Sequence, residues 1–415
     1  MIRMPKEIAH MIKTIEDEGF EAYAVGGCVR DFILGRQPED WDLTSNASRE
    51  TLEALFPDAS VVNKKLGVMR VTEGDVTADI AAFRIDGEYK DYRRPDTVTF
   101  TRDIREDLKR RDFTMNAIAV SPDRGVVDPF GGQSDIASGL IRGIGDPRIR
   151  FEEDALRILR AVRFAAQLGF QIESGTLQAM KEKAGLLQYI STERILDEFS
   201  KTLSARHCGK GLGFMMETGV LPYILGEDCM NGAGEEELRM FAVLADRIDL
   251  ADPELSLRLA LVYGCFAPDR ATKAIEKLGH SNDMKRKLQY AAGREYRLDE
   301  IRDKRVLKIL LNTVGSEDFR YLMAVSEQQC RVFWQDDSAL RRVWSLYEEV
   351  LRLGEPIFIG DLAVDGNDLI GAGIGEGLEI GRILKLLLEV VHAEPEKNQR
   401  DTLLEIAAEN HKRRK

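Results

Sequence analysis

The pattern of apolar and polar positions changes character near residue 150. Before it, short apolar runs alternate with helical periods; after it, helical periods follow one another almost without interruption. Lys6 to Gly19 carries Ile8, Met11, Ile12 and Ile15 at helical spacing, which predicts an amphipathic helix. A short strand is expected over Glu21 to Val25, then a helix over Cys28 to Leu34 closed by Gly35. An acidic strand through Asp40 to Thr44 follows, and a helix over Arg49 to Phe56 stopped by Pro57. Val61 to Glu73 and Val76 to Arg84 flank a Gly-Asp turn and predict a hairpin or adjacent strands. Ile85 to Asp96 is charged, contains Gly87 and has no apolar period, so a long mobile loop is expected. Asp103 to Ala119 predicts a helix. Gly131-Gly132 and Gly139 to Gly145 predict a connection that ends the first domain.

The first helix beyond Phe151 is expected to run through Glu153 to Phe164, with Leu156, Leu159, Val162 and Ala166 on its core face. Arg157, Arg160 and Arg163 recur every three residues, each rotated by about 60° from the last, and form a slowly wrapping basic stripe. Glu152, Glu153 and Asp154 near its start also suit the helix dipole. Further helices are predicted at Ser174–Ala184, Thr192–Leu203, Gly209–Thr218, Glu235–Ala251 and Leu255–Tyr263, and onward to a last one at Asn398–Asn410.

With 415 residues, 44% hydrophobic and 31% charged, the chain has enough apolar material for a sizeable core, and the length suggests about two to four domains. No apolar run approaches the roughly 20 residues of a membrane span, and Met1 to Ala9 lacks an apolar signal region, so no membrane partner is expected. The five cysteines have no metal-type or disulfide-like spacing, which points to a reducing, cytoplasmic compartment. The histidines are equally dispersed, which argues against zinc and against a histidine-activated nucleophile. A net charge of −12 means that any nucleic-acid binding must use local basic stripes, the terminal His411 to Lys415 among them.

Candidate chemistry centres on Asp40 and Asp42. On a strand, residues i and i+2 share a face, so the pair offers oxygen ligands side by side to a hard cation such as Mg²⁺. Two metals bridged by carboxylates suit in-line phosphoryl transfer. Asp79, in Ala78-Asp79-Ile80, is either a third carboxylate or a structural ion-pair partner. Gly26-Gly27 lets backbone N–H groups approach a phosphate at a helix start, and Arg30 can reach the same anion. Arg110-Arg111-Asp112 lies among apolar residues, where unpaired charge is costly, so a buried Arg–Asp pair near the site is expected. Singly these features are common on turns and surfaces; together they favour a nucleotidyltransferase.

Gly26-Gly27-x-Val29-Arg30-Asp31, Asp40-x-Asp42, Arg110-Arg111-Asp112-Phe113-Thr114-x-Asn116-Ala117 and Glu153-Asp154-x-x-Arg157-x-x-Arg160-Ala161-x-Arg163-Phe164 together resemble the class II tRNA nucleotidyltransferases, the bacterial CCA-adding enzymes, and the resemblance extends over essentially the whole chain. It implies an α+β fold: a mixed-sheet, polymerase β-like head over 1–143, then a helical neck over 144–205, body over 206–305 and tail over 306–415. It implies Mg²⁺ as cofactor, CTP and ATP as substrates, and the acceptor and T arms of tRNA as partner. Asp40 and Asp42 would hold the metals. Gly27, Arg30, Arg111, Arg160 and Arg163 would bind the nucleotide, Asp154 and Arg157 would read its base, and Glu153 and Asp112 would support them. Ile85 to Asp96 would be the loop linked to the switch from C to A.

The chemistry of the bases agrees with that reading. Ionised Asp154 only accepts hydrogen bonds and Arg157 only donates. Cytosine and adenine each place an amine donor beside a ring-nitrogen acceptor, the complement of that pair, whereas guanine and uracil present the reverse. Gly375 to Gly381 departs from the Gly-Pro that the family more often carries there. An enzyme adding only the terminal A, a poly(A) polymerase and a catalytically dead RNA-binding scaffold are the alternatives, and a homodimer is left open.

Overall fold

The computed structural model describes residues 4–89, 95–293, 298–375 and 377–412. The chain divides into two compact units, residues 1–249 with 276–279, and residues 250–275 with 280–415.

In the first unit, α1 (Lys6–Asp17) buries Ile8, Met11, Ile12 and Ile15 as its periodicity requires. Next come β1 (Ala22–Val25), α2 (Gly27–Ile33), β2 (Trp41–Ser45) and α3 (Arg49–Leu55), the last capped by the Ser48 hydroxyl, which accepts from the Thr51 N–H. Strands β3 (Ser60–Asn63), β4 (Val68–Glu73) and β5 (Val76–Ala82) follow, so the expected run Val61 to Glu73 is two strands with a turn between them. Segments β6 (Arg84–Asp86) and β7 (Val98–Phe100) pair antiparallel, and Tyr89 bridges Pro95. The stretch read as a loop from Ile85 to Asp96 therefore begins as a β-ribbon, because backbone pairing needs no apolar period. Residues 90–94 of it lie outside the described residues.

The helix expected over Asp103 to Ala119 is a correction. Only α4 (Ile104–Lys109) is helical there, followed by a 3-10 turn at Thr114–Asn116 and by β8 (Ala119–Ser121). The Asp112 carboxylate accepts from the Phe113 N–H at 2.8 Å and the Asn116 side chain at 3.1 Å, a local alternative to helical hydrogen bonding. Strand β9 (Gly125–Val127) completes a seven-stranded mixed sheet of order β3-β4-β5-β2-β1-β8-β9. The pair β2–β5 is parallel and sets Asp42 opposite Asp79. Tyr23, Val25, Phe83, Leu108, Ala117 and Ile144 form part of the core beneath it.

Beyond α5 (Gly132–Ala137), β10 (Leu140–Ile141) pairs in parallel with β11 (Gln171–Ile172), so the glycine-rich connection is itself structured. Helix α6 (Pro147–Glu153) starts at the Asp146 cap and ends at Asp154, and α7 (Leu156–Leu168) begins after Ala155. This is the second correction: the basic stripe and the acidic residues before it are not on one helix. Asp154 is extended, with φ −139° and ψ 102°, and its Oδ1 accepts from the Leu156 N–H at 3.1 Å, in the manner of a helix cap. Helices α8 (Ser174–Lys183) and α9 (Thr192–Leu203) pack alongside α6 and α7 respectively.

The second unit is helical throughout its described residues, with its longer helices at Ser316–Phe333, Ser338–Leu353 and Leu378–Ala393. One of its cores gathers Leu307, Leu311, Phe319, Met323, Val343 and Val350; another gathers Leu369, Ile383, Leu387, Val391 and Leu403. The five cysteines are free thiols. Among the described residues no helix is long and apolar enough to cross a membrane.

Candidate active site

A cleft of about 470 Å³ opens in the first unit, lined by α2, the start of β2, the turn after α4, and α7 and α9. Nine of the sequence-predicted residues line it together: Gly27, Arg30, Asp42, Arg111, Asp112, Asp154, Arg157, Arg160 and Arg163. Asp40, Asp79 and Glu153 are not among its lining residues. Its walls hold seven arginines (30, 110, 111, 157, 160, 163 and 194) against Asp42, Asp112 and Asp154, so an acidic chain carries a locally cationic cavity.

At the glycine pair, Gly26 has φ 84° and ψ −133°, a conformation open chiefly to glycine, and a Cβ there would meet Arg111 Nη1 at 3.1 Å. Arg30 donates through Nε and Nη2 to Asp31 Oδ1 at 2.9 and 2.8 Å, and through Nη1 to Asn116 Oδ1 at 2.9 Å. Among the described residues, two of its five N–H groups are left for the cleft. Arg111 is held by Asp107 at 3.5 Å, and its buried Nε has no hydrogen-bond partner among the described residues. An unsatisfied buried donor beside a cationic cleft suits an anion.

Asp42 opens to solvent while Leu43, Thr44 and Ser45 behind it are buried. Its carboxyl is pushed above the usual carboxylate range by the burial of its surroundings, and further by the Asp79 and Asp40 charges, against the pull of Arg111. Crowded carboxylates with only oxygen donors fit a hard divalent cation, which relieves their repulsion. Among the described residues no group of three or more histidine, cysteine, aspartate or glutamate side chains could hold a metal by itself. Asp79 is engaged: Arg70 donates to both of its oxygens, at 2.7 and 2.8 Å. Asp42, with Asp40 near enough to raise it, is the carboxylate pair that could hold a hard cation such as Mg²⁺, which takes few protein ligands.

On the opposite wall, Asp112 accepts from Arg160 Nε at 2.8 Å and lies 2.7 Å from its Nη2. Burial raises the Asp112 carboxyl, but Arg160 and Arg157 outweigh it and hold the group well below the usual range. Arg157 donates to Glu153 at 2.8 Å and to the carbonyls of Arg110 at 2.9 Å and Arg150 at 3.3 Å. Asp154 takes a two-pronged contact from Arg194, at 2.9 and 3.3 Å. Arg163 is ion-paired with buried Glu198 at 2.8 Å. Phe164 supports this wall from below, with the guanidinium carbons of Arg30, Arg160 and Arg163 at 5.1, 5.4 and 4.4 Å from its ring centroid.

Sequence reasoning missed Arg194 and Glu198. Both lie on α9, some 40 residues beyond the motif they complete, where local spacing carries no signal. Glu198 left one trace, a carboxylate on the apolar face formed by Ile195, Phe199 and Leu203, a placement that demands a cation.

A sequence profile of the Poly A polymerase head domain matches residues 22–142, which carry the sheet and the carboxylates. A second profile, described as "Probable RNA and SrmB- binding site of polymerase A", matches residues 169–227. Mixed sheet, glycine turn and helical continuation thus define a nucleotidyltransferase with a polymerase β-like head. Against the CCA-adding enzyme of Limosilactobacillus fermentum the chain is 34% identical over 414 residues, covering 96% of this chain and 95% of that one, and it belongs to the CCA-adding enzyme family. With the CCA-adding enzyme of a Geobacillus species the identity is 44% over 214 residues, and there the chain spans about half of the relative's length, 53%. The crystal structure of the Bacillus stearothermophilus CCA-adding enzyme in complex with CTP superposes with a TM-score of 0.77 at 29% identity, over 99% of each chain.

Proposed function

We propose that this chain adds and repairs the 3′-terminal CCA of tRNA, taking CTP and ATP as substrates, in the cytoplasm. The observation that carries the proposal is the convergence, in one cationic cleft, of the Gly26–Gly27 turn and Asp42 on one side with Asp154, Arg157, Arg160 and Arg163 on the other. The CTP complex of the B. stearothermophilus relative supports the choice of nucleotide.

In this reading the triphosphate lies against the backbone of Gly26 and Gly27, with the spare donors of Arg30 and the unpartnered Nε of Arg111 on its oxygens. Asp40 and Asp42 would hold Mg²⁺. When bound, such ions favour the deprotonated form of a coordinated hydroxyl and neutralise charge on a leaving pyrophosphate. The 3′-oxygen of the RNA attacks the α-phosphorus, a new P–O bond forms, and the bond to pyrophosphate breaks. Asp154 and Arg157 face the base. Among the described residues Arg157 spends three of its five N–H groups on Glu153 and two carbonyls, which leaves two for a ring nitrogen or carbonyl. Tied on both sides, the pair is pre-organised to accept from the amine of C or A and donate to the neighbouring nitrogen.

The test uses tRNA transcripts ending before CCA, after C and after CC, each with labelled CTP, ATP or both. Extension of the bare transcript by three nucleotides with both substrates is expected. Addition of a single A, and only to the CC-ended transcript, would make this an A-adding enzyme. Long A tracts would make it a poly(A) polymerase, and no extension would leave an RNA-binding scaffold.

A further inference from the structure

Arg194 reaches Asp154 from α9 and meets both of its oxygens: Nη2 donates to Oδ2 at 2.9 Å and Nη1 to Oδ1 at 3.3 Å. Oδ1 also accepts from the Leu156 N–H at 3.1 Å. A carboxylate has about four lone-pair sites, two on each oxygen. Among the described residues Oδ1 is therefore filled, and Oδ2 keeps one. Both side chains are largely enclosed, Arg194 at 24% and Asp154 at 17% exposure, so the fork is part of the wall and not a surface pair.

One remaining acceptor on one oxygen has a consequence for base choice. The amine of cytosine or adenine needs a single acceptor there, because its neighbour in the ring is itself an acceptor. Guanine differs, since its N1–H and its exocyclic amine lie side by side and match both oxygens of an unoccupied carboxylate. A bare aspartate in this cleft would thus bind guanine in a shifted position, whatever Arg157 does. Uracil has one ring N–H between two carbonyls and gains nothing comparable.

We infer that Arg194 is a specificity-determining positioning residue that occupies the Asp154 oxygens guanine would otherwise use. The inference rests on the proposed base-reading role of Asp154. It concerns a residue outside the motif that carries that role, and it assigns the exclusion of one particular base to it.

The experiment uses the full chain as wild type, R194A, R194K, D154A and the D154A/R194A double variant. Single-turnover addition is measured with ATP and GTP on a CC-ended transcript, and with CTP, GTP and UTP on a transcript lacking CCA. R194A is expected to raise GTP use relative to ATP at least tenfold while the UTP ratio moves far less. R194K, whose single ammonium covers one oxygen, is expected to fall between R194A and wild type, and it supplies the same ratio if R194A does not fold. On the D154A background, removing Arg194 is expected to leave the GTP-to-ATP ratio where D154A alone puts it. An unchanged ratio in R194A, with all nucleotides slowed alike, would reduce Arg194 to a structural support and overturn the inference. So would a ratio change that persists without Asp154. If D154A by itself keeps full preference for C and A over G, the base-reading role of Asp154 fails, a result distinct from failure of Arg194 alone.

Discussion

The two adjacent glycines at the start of α2 are expected to respond oppositely to alanine. Gly26 sits at φ 84° and ψ −133°, where an L-residue is strained by about 1–3 kcal/mol. Its new Cβ would also stand 3.1 Å from Arg111 Nη1. That atom ends a long side chain whose Nε has no partner among the described residues, so it can yield by moving. Strain then dominates, and Gly26→Ala should cost about 2 kcal/mol. The displaced guanidinium should lower kcat/KM for CTP by a further factor of about ten, the equivalent of roughly 1.4 kcal/mol. Gly27 opens the helix, and a Cβ there would find its nearest neighbour, Arg30 Nη2, at an ordinary 3.7 Å. Gly27→Ala should therefore hold stability or raise it by about 0.4–1 kcal/mol, through the reduced entropy of the unfolded chain. Its activity should still fall, since a methyl group would stand where the triphosphate approaches the backbone. Urea midpoints at constant slope give the stabilities, and nucleotide incorporation gives kcat and KM separately. Equal destabilisation by the two substitutions, or a neutral Gly26→Ala, would refute the reasoning.

Asp42→Asn, like Asp40→Ala, should abolish transfer without unfolding the chain, because it relieves a crowd of carboxylates. Mg²⁺ should raise the melting temperature of the wild type and not of Asp42→Asn, and an equal rise in both would remove the metal from this site. Asp112→Asn leaves Arg160 without its charge partner. The expected loss is about 3 kcal/mol at pH 7, the low end of the range for a broken buried pair because Arg160 is 34% exposed. The native Asp112 carboxyl lies below its unfolded value of about 3.9, so its stabilisation is present above that pH and is lost as pH falls towards the depressed native value. The gap between wild type and variant in urea should thus be full at pH 7 and shrink below about pH 4; a gap independent of pH would mean that packing, not charge, accounts for it. Arg157→Ala should relax base choice, and unchanged rejection of UTP and GTP would count against its reading of the base.

The parts of the site that were legible in the sequence are those carried on short local segments. Gly26-Gly27-Arg30 lies within one helical turn, and Asp42 lies on β2, so local backbone geometry fixes where their side chains go; Asp40 precedes β2, which begins at Trp41, so the strand argument that paired it with Asp42 does not hold for it. The helices of the C-terminal half were legible because one apolar face repeats over three or more turns. Failures came where burial is complete. From Asp112 to Ser121 every residue is buried, so no periodicity distinguishes helix from turn or strand, and the Asp112 hydrogen bonds decide the outcome. The Arg194 contact was out of reach for another reason: a side chain 40 residues away is chosen by tertiary packing, which no spacing rule reports.

If Asp154 and Arg157 read the base as proposed, the break between α6 and α7 is where that missed geometry matters. On one continuous helix Asp154 and Arg157 would be three residues apart on a common face, close enough to pair with each other. Acceptor and donor would then cancel, and a base would have to separate them before being read. The extended backbone at Asp154 prevents this by turning its carboxylate to Arg194, while Arg157 turns to Glu153 and to the Arg110 carbonyl. Each member has a partner of its own, and among the described residues each keeps unused capacity, one lone pair on Asp154 and two N–H groups on Arg157. On the proposed base-reading role, the helix break and the two flanking ion pairs are what let Asp154 and Arg157 stand near each other without pairing and remain available to a base.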